Sequence, residues 1–229
     1  MITRTRLITL AALVLALSVS RHAHAAPVGV NLIANGDFEA GNTGFSSPYQ
    51  FVLPSNNDNQ YYVLSNPADW YFQFQSFGDH TTGAGRMFLG NGDVNGGIAY
   101  VSNVFDVAAG MSYQVFGWFT SLGCSTCTVA YGNSVIDVAM RLNGVRYALA
   151  QGITDNAAAG TWRPFDVANW TAPLAGQAQL EISTAPGQWS GNDFALDDLF
   201  VSTTPVPEPT SIALLGIGLF GIARRLRRG

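Results

Sequence analysis

Along the middle of the chain, apolar and polar positions alternate with a period of two. In VIDVAMRL, Val135 to Leu142, the residues Ile136, Val138, Met140 and Leu142 fall on one face and Asp137 and Arg141 on the other. This is the pattern of a strand with one buried side. QLEIS, Gln179 to Ser183, alternates in the same way. QYYVL, WYFQFQSF, RMFL, IAYVSNVFDV, SYQVFGWFTSL, VRYALA and WRPFDVANW read as further strands, separated by turns such as NGDVNGG and LNG. Trp118, inside SYQVFGWFTSL, alternates as a core residue does. With no long amphipathic helical stretch between the two ends, this succession of short strands predicts an all-β fold, an antiparallel sandwich of two packed sheets.

The two ends follow a different grammar. Residues 1–25 carry Arg4 and Arg6, an apolar stretch from Leu7 to Val19, and the small-x-small pattern Ala23-His24-Ala25. This predicts a cleavable N-terminal signal helix removed before Ala26, and hence export. At the other end, an uncharged apolar run from Ile212 to Ala223 is followed by Arg224, Arg225, Arg227 and Arg228. The run falls short of the roughly 20 residues that span a bilayer comfortably. Behind an export signal, the arginines are expected to stay cytoplasmic while everything before Thr210 crosses the inner membrane. The tail thus reads as a short C-terminal transmembrane helix of stop-transfer type.

Pro207-Glu208-Pro209, then a short apolar helix, then an arginine cluster beginning at Arg224 and Arg225, resembles the PEP-CTERM sorting signal of exopolysaccharide-producing Gram-negative bacteria. The resemblance implies recognition by a membrane-embedded exosortase, removal of the tail near Pro207-Glu208-Pro209, and delivery to the cell surface or extracellular matrix. An uncleaved single-span anchor is the other reading of the tail. The chain then divides into a signal peptide (1–25), a sandwich domain (26–202), a Pro-rich linker (203–209) and the sorting helix with its arginines (210–229).

Charge sharpens the picture once both signals are set aside. Of eleven basic residues seven lie in the signals, leaving Arg86, Arg141, Arg146 and Arg163 against fourteen carboxylates, a net of −10 with no lysine. Such a surface repels phosphate backbones, so no nucleic acid partner is expected. It favours calcium and neutral or cationic ligands. The only cysteines, Cys124 and Cys127 in LGCSTCTVAYGN, lack the second pair or nearby histidine that a zinc site needs. In an oxidising compartment a local disulfide is the favoured reading over two free thiols.

Three motifs narrow the sandwich: NLIANGDFEAGNTGF at 31–45, GDHTTGAGRMFLGNG at 78–92 and NDFALDDLFV at 192–201. The opening Asn-Gly-Asp-Phe-Glu and the closing Leu-Asp-Asp-Leu resemble the jelly-roll carbohydrate-binding modules. The second motif with the third resembles the extracellular MAM domain, also a jelly roll. These resemblances imply a jelly-roll sandwich whose first and last strands lie close. Glu39 would then approach Asp197 or Asp198, with Asp79 completing a set of hard oxygen ligands suited to a structural calcium. Alternatively, the same acids cap backbone N–H groups in turns and at strand edges.

No Ser-His-Asp set can be assembled after processing, because His80 is the only histidine left and it lies inside the second motif. Zinc chemistry lacks ligands. Glycoside hydrolysis needs two carboxylates flanking a cleft, and the acids here sit in turns and fold motifs with no separable acid and nucleophile. A non-catalytic protein is therefore expected. Sugar rings stack on aromatic side chains, and Trp189, in the loop APGQWSGND, is the candidate ligand contact, a lid over the sandwich end being its other reading. Two function classes stand: a glycan-binding surface protein, tied to the cell's exopolysaccharide, and a structural or adhesive matrix component without a ligand site.

Overall fold

The computed structural model describes residues 29–203 apart from 56, 128–132, 156 and 187–191. The signal peptide, the sorting segment from Pro207 to Arg225 and beyond, and Trp189 lie outside the described residues.

Alternation becomes two facing sheets. The first has the strand order β1 (Phe45–Ser46), β5 (Gly97–Ser102), β11 (Gly176–Thr184), β8 (Val135–Leu142) and β9 (Val145–Thr154), with β6 (Phe105–Val107) also paired to β11. The second runs β10 (Arg163–Thr171), β7 (Ser112–Ser121), β12 (Phe194–Thr203), β4 (Met87–Asn91), β3 (Gln60–Leu64) and β2 (Gln50–Phe51). All pairings are antiparallel except the two-residue contact of β2 with β3. The architecture is a two-sheet jelly-roll sandwich. The β8–β9 hairpin turns on Asn143 and Gly144, both at positive φ, as a two-residue hairpin turn requires.

The inward faces of both sheets form the main core. Ile136, Val138 and Met140 of β8 are fully buried against Leu180 and Ile182 of β11 and Val115, Phe119, Leu196 and Val201 of the facing sheet. Phe38 joins this core from the first motif and meets Phe45 and Tyr100 edge-on. Its φ of 55° is costly for a bulky residue, and local bonds hold it there: Phe38 N–H to Asn35 O and Gly41 N–H to Phe38 O. Gly36 has no alternative, because a Cβ at that position would collide with the Leu199 carbonyl, whose own N–H donates to Gly36 O at 2.8 Å.

The second sheet also buries its outer face. Met87, Leu89 and Ala195 pack there against Trp70, Phe74 and Leu122 in a separate cluster, with Tyr62, Tyr71, Phe77 and Trp162 at its margin. WYFQFQSF is accordingly not a strand. Asn66 caps a single helical turn, α1 (Pro67–Trp70), by accepting from Ala68 N–H, and Pro67 presets its first position. Trp70 is thereby turned onto the outer face, where its Nε1–H donates to Val52 O at 2.8 Å, and the chain continues as an irregular strap through Phe77. IAYVSNVFDV is likewise two strands, broken at Asn103, whose side chain accepts from Ala34 N–H and donates to Leu32 O.

Candidate functional site

The three acidic motifs meet on the outer face of the second sheet. A bulge in β12 between Asp197 and Phe200, with Asp198 at a φ of 49°, breaks the register with β7 and points the two carboxylates at the loop of the second motif. Asp197 is fully buried. Its Oδ2 accepts the backbone N–H groups of His80 at 2.8 Å and Thr81 at 3.2 Å, and its Oδ1 accepts Asp198 N–H at 2.8 Å. Asp198 takes His80 Nδ1 at 2.6 Å and Thr81 Oγ1 at 2.8 Å. The His80 ring stacks on Trp118 with centroids 3.8 Å apart and meets Trp162 edge-on.

Asp79 and Glu39 occupy the other side of the same loop. Asp79 accepts Gly85 N–H at 2.7 Å and Thr82 N–H at 2.8 Å, and Glu39 accepts Arg86 N–H at 2.8 Å. A Cβ on Gly85 would run into the Glu39 carboxylate and come within 3.0 Å of Asp79 Oδ2, so only glycine fits between them.

These environments pull the acids apart electrostatically. Burial, and then the charge of Asp198, raise the Asp197 carboxyl to about 8 despite its N–H donors. At Asp79 burial acts the same way, but the N–H groups of Thr82 and Gly85 and the Thr82 hydroxyl outweigh it and hold the carboxyl below its ordinary value.

The donor set does not fit the expected calcium as it stands. Among the described residues no three of His, Cys, Asp or Glu converge to hold a metal. N–H and O–H hydrogens face Glu39, Asp79, Asp197 and Asp198, and a cation would have to displace them. Their arrangement matches the capping reading of these acids. Thr81 Oγ1–H donates to both carboxylates, and one face of the imidazole is closed by Trp118.

Trp118 itself corrects an expectation. It is half-buried on the outer face of the second sheet, paired across the ladder with Asp197, because its neighbours Val115 and Phe119 take the inward positions.

The first sheet presents a polar outer face without aromatic rings. There Glu181, fully buried, is gripped by Arg141 Nη2 at 2.6 Å and Arg146 Nε at 2.6 Å. This triad closes the face over an otherwise costly buried charge.

Exposed rings gather instead around the margin of the outer cluster. Phe72 is 73% exposed and leans on Tyr71 with centroids 5.2 Å apart. Phe51 is 43% exposed and stacks flat on Tyr62 at 4.4 Å. Cys124 and Cys127 are joined in a disulfide, and the ring they close grips the strap that carries Phe72. Ser125 N–H and Oγ–H both donate to Gln73 O, at 2.8 and 3.1 Å, and Gln73 Nε2 reaches Thr126 Oγ1 at 3.3 Å. Gln75 N–H donates to Leu122 O at 3.1 Å. Neither Phe51 nor Phe72 stood out in the sequence, although the Asn66-Pro67 helix start was a signal that the aromatic run after it leaves the sheet.

With this sandwich in view, the class of protein is a jelly-roll β-sandwich carrying a C-terminal address. Residues 205–228 match the PEP-CTERM protein-sorting motif, which marks an exported protein sorted to the cell surface. Among the described residues no helix is long and apolar enough to cross a membrane. Comparison with curated proteins gives no match. Among solved structures, the chain is similar to TmCBM61 in complex with beta-1,4-galactotriose, with 14% identity and a TM-score of 0.45 over 77% of this chain and 100% of that one. It is also similar to the CBM22-1–GH10 modules of the Clostridium thermocellum endo-1,4-beta-D-xylanase 10B complexed with xylohexaose, with 15% identity and a TM-score of 0.45 over 77% of this chain and 29% of that one. A third is a family 16 carbohydrate-binding module, with 17% identity and a TM-score of 0.44 over 75% of this chain and 99% of that one.

Proposed function

We propose that this protein is an exported, non-catalytic surface protein that binds neutral glycan through the exposed aromatic rim of its second sheet. The sorting motif supports the surface destination, and with it processing by an exosortase. The observation that carries the binding reading is Phe72, a large apolar ring left 73% in water on a strap that a disulfide ring holds in place. An exposed phenylalanine on a fixed backbone is a ready stacking platform for the apolar face of a pyranose. Phe51, flat on Tyr62, offers a second, and the side chain of Gln73 supplies hydrogen-bonding groups next to the first.

Orientation favours the same reading. Phe194 at the start of β12 pairs with Ser121, close to the disulfide ring, whereas Thr203 at its end pairs with Tyr113. Phe194 and Thr203 are the two ends of this ten-residue strand, which sets them roughly 30 Å apart. The Phe72 rim thus points away from the end that leads to the sorting motif, outward from a membrane-held precursor and toward any surrounding exopolysaccharide. The net charge of −10 suits an uncharged polymer better than a uronate-rich one. Affinity electrophoresis of the processed domain through gels containing neutral polysaccharides tests the reading: retardation that Phe72→Ala removes supports it. Unretarded migration in every polysaccharide would leave the protein a structural matrix component.

A further inference from the structure

We infer that the end of the sandwich from which β12 exits is a docking surface for the membrane-embedded enzyme that processes the sorting motif. Several turns meet at this end. Thr203 pairs with Tyr113 and Thr171 with Ser112. Gly110 N–H donates to Ala172 O at 2.8 Å, and Ala172 N–H to Met111 O at 2.9 Å. Asn143 of the β8–β9 turn bonds Gln177 on the same side. The first described residues come here as well: Leu32 N–H donates to Val201 O, and Gly29 lies against Ser202.

The chemistry of this end differs from that of the rest of the domain. Residues 107–113, 142–145 and 171–180 contain no charged side chain, although the domain as a whole has a net charge of −10. Leu174 is 45% exposed, Val145 56% and Val30 81%. Exposed Asp106, paired with Gln177, stands at its border, and an end this poor in charge is the face that such a domain can bring against a partner with little desolvation of charge.

What identifies the partner is the short length of chain that follows. From Thr203 to Pro207 there are four residue steps, so the motif begins within about 14 Å of the last ladder pair even when fully extended. An active site that holds Pro207-Glu208-Pro209 therefore has the Ala108–Met111 and Ala172–Ala175 turns at its rim. Recognition then includes the folded domain as well as the linear motif, and Leu174, exposed on the Ala172–Ala175 turn, is one apolar side chain that can enter the partner's surface.

The inference rests on the sorting reading above and is independent of glycan binding. Its test uses the full-length precursor in cells that carry an epitope-tagged exosortase. A photoreactive phenylalanine at position 174 should cross-link to the tagged enzyme, and the same group at position 72 should not. Leu174→Asp should slow conversion of precursor to mature protein about tenfold, the effect of losing one apolar anchor, with an unchanged melting temperature, while Phe72→Asp is processed at the normal rate. Equal cross-linking from both positions, adducts to lipid alone, or normal processing of Leu174→Asp would overturn the inference. Glu208→Ala separates it from the sorting reading: normal processing of that variant would show that the motif itself is not the signal.

Discussion

The backbone N–H of His80 donates to the buried carboxyl of Asp197 at 2.8 Å, so the middle motif of the sequence is fastened across the outer face of the last strand. Replacing Asp197 with alanine leaves the N–H groups of His80, Thr81 and Asp198 without their acceptor. A loss of about 3 kcal/mol in chemical denaturation is expected, since each unpaired buried donor costs about 1–3 kcal/mol. Asp58→Ala, at an exposed turn position, should change stability by no more than about 0.5 kcal/mol.

The same carboxyl gives the protein an unusual pH dependence. Because the folded value of Asp197 is raised from 3.8 to about 8, the native state holds a proton that the unfolded chain has released. The Asp197 contribution is therefore most favourable below the unfolded value and declines as pH rises from about 4 to about 8. Asp79, held below its ordinary value, works in the opposite sense and withdraws stability only in acid, as pH falls through its folded value. Denaturant midpoints measured from pH 4 to 9 should show a decline toward pH 8 that is absent in Asp197→Ala. An identical profile in the variant would remove Asp197 as its source.

Calcium should have little effect on the folded domain. Donor hydrogens face Glu39, Asp79, Asp197 and Asp198 in this arrangement, so thermal melts in chelator and in millimolar calcium are expected to superimpose. A rise in melting temperature with calcium, following the logarithm of its concentration as ligand linkage requires, would mean that the loop rearranges around a cation.

The Cys124–Cys127 disulfide is expected to matter more for the rim than for the fold. Loop-closure entropy for so small a ring amounts to about 2 kcal/mol at most. The ring's bonds to Gln73 nevertheless fix the strap beneath Phe72. Replacing both cysteines with serine should leave a cooperative unfolding transition while increasing amide hydrogen exchange in residues 71–75. Unchanged exchange there would show that the strap is held without the disulfide.

Much of the fold was legible in the pattern, and the exceptions share one cause. VIDVAMRL and QYYVL are strands to the residue: VIDVAMRL lies on the sheet with one apolar and one polar face, and QYYVL is rich in the aromatic and β-branched residues that favour strands. The meeting of the three acidic motifs was legible too, through the jelly-roll resemblance. WYFQFQSF and Trp118 were misread because the second sheet is covered on both sides: when the outer face is also buried, alternation no longer says which side is core. Asn66 and Pro67 then take the chain out of the ladder and turn Trp70 onto that outer face. The jelly-roll resemblance, with its converging carboxylates, pointed to a structural calcium at the meeting point. The backbone N–H groups that the loop offers these acids were not legible, because only the three-dimensional path of residues 79–86 reveals them. Phe72 was hidden for a related reason, since its exposure depends on a strap whose course is set by contacts with Ser125 and Leu122, some fifty residues further on.

Glycan binding at the Phe72 rim is tested most directly by the mobility of the processed domain in gels containing neutral polysaccharide, with wild type, Phe72→Ala and Phe51→Ala compared. Retardation of the wild type is expected to be lost in Phe72→Ala and reduced in Phe51→Ala, with Phe72→Ala unfolding within about 0.5 kcal/mol of the wild type, as expected for an exposed position, and Phe51→Ala less stable by about 1 kcal/mol through its lost stacking on Tyr62. Retention of Phe72→Ala at the wild-type position in a gel that retards the wild type would contradict binding at that rim.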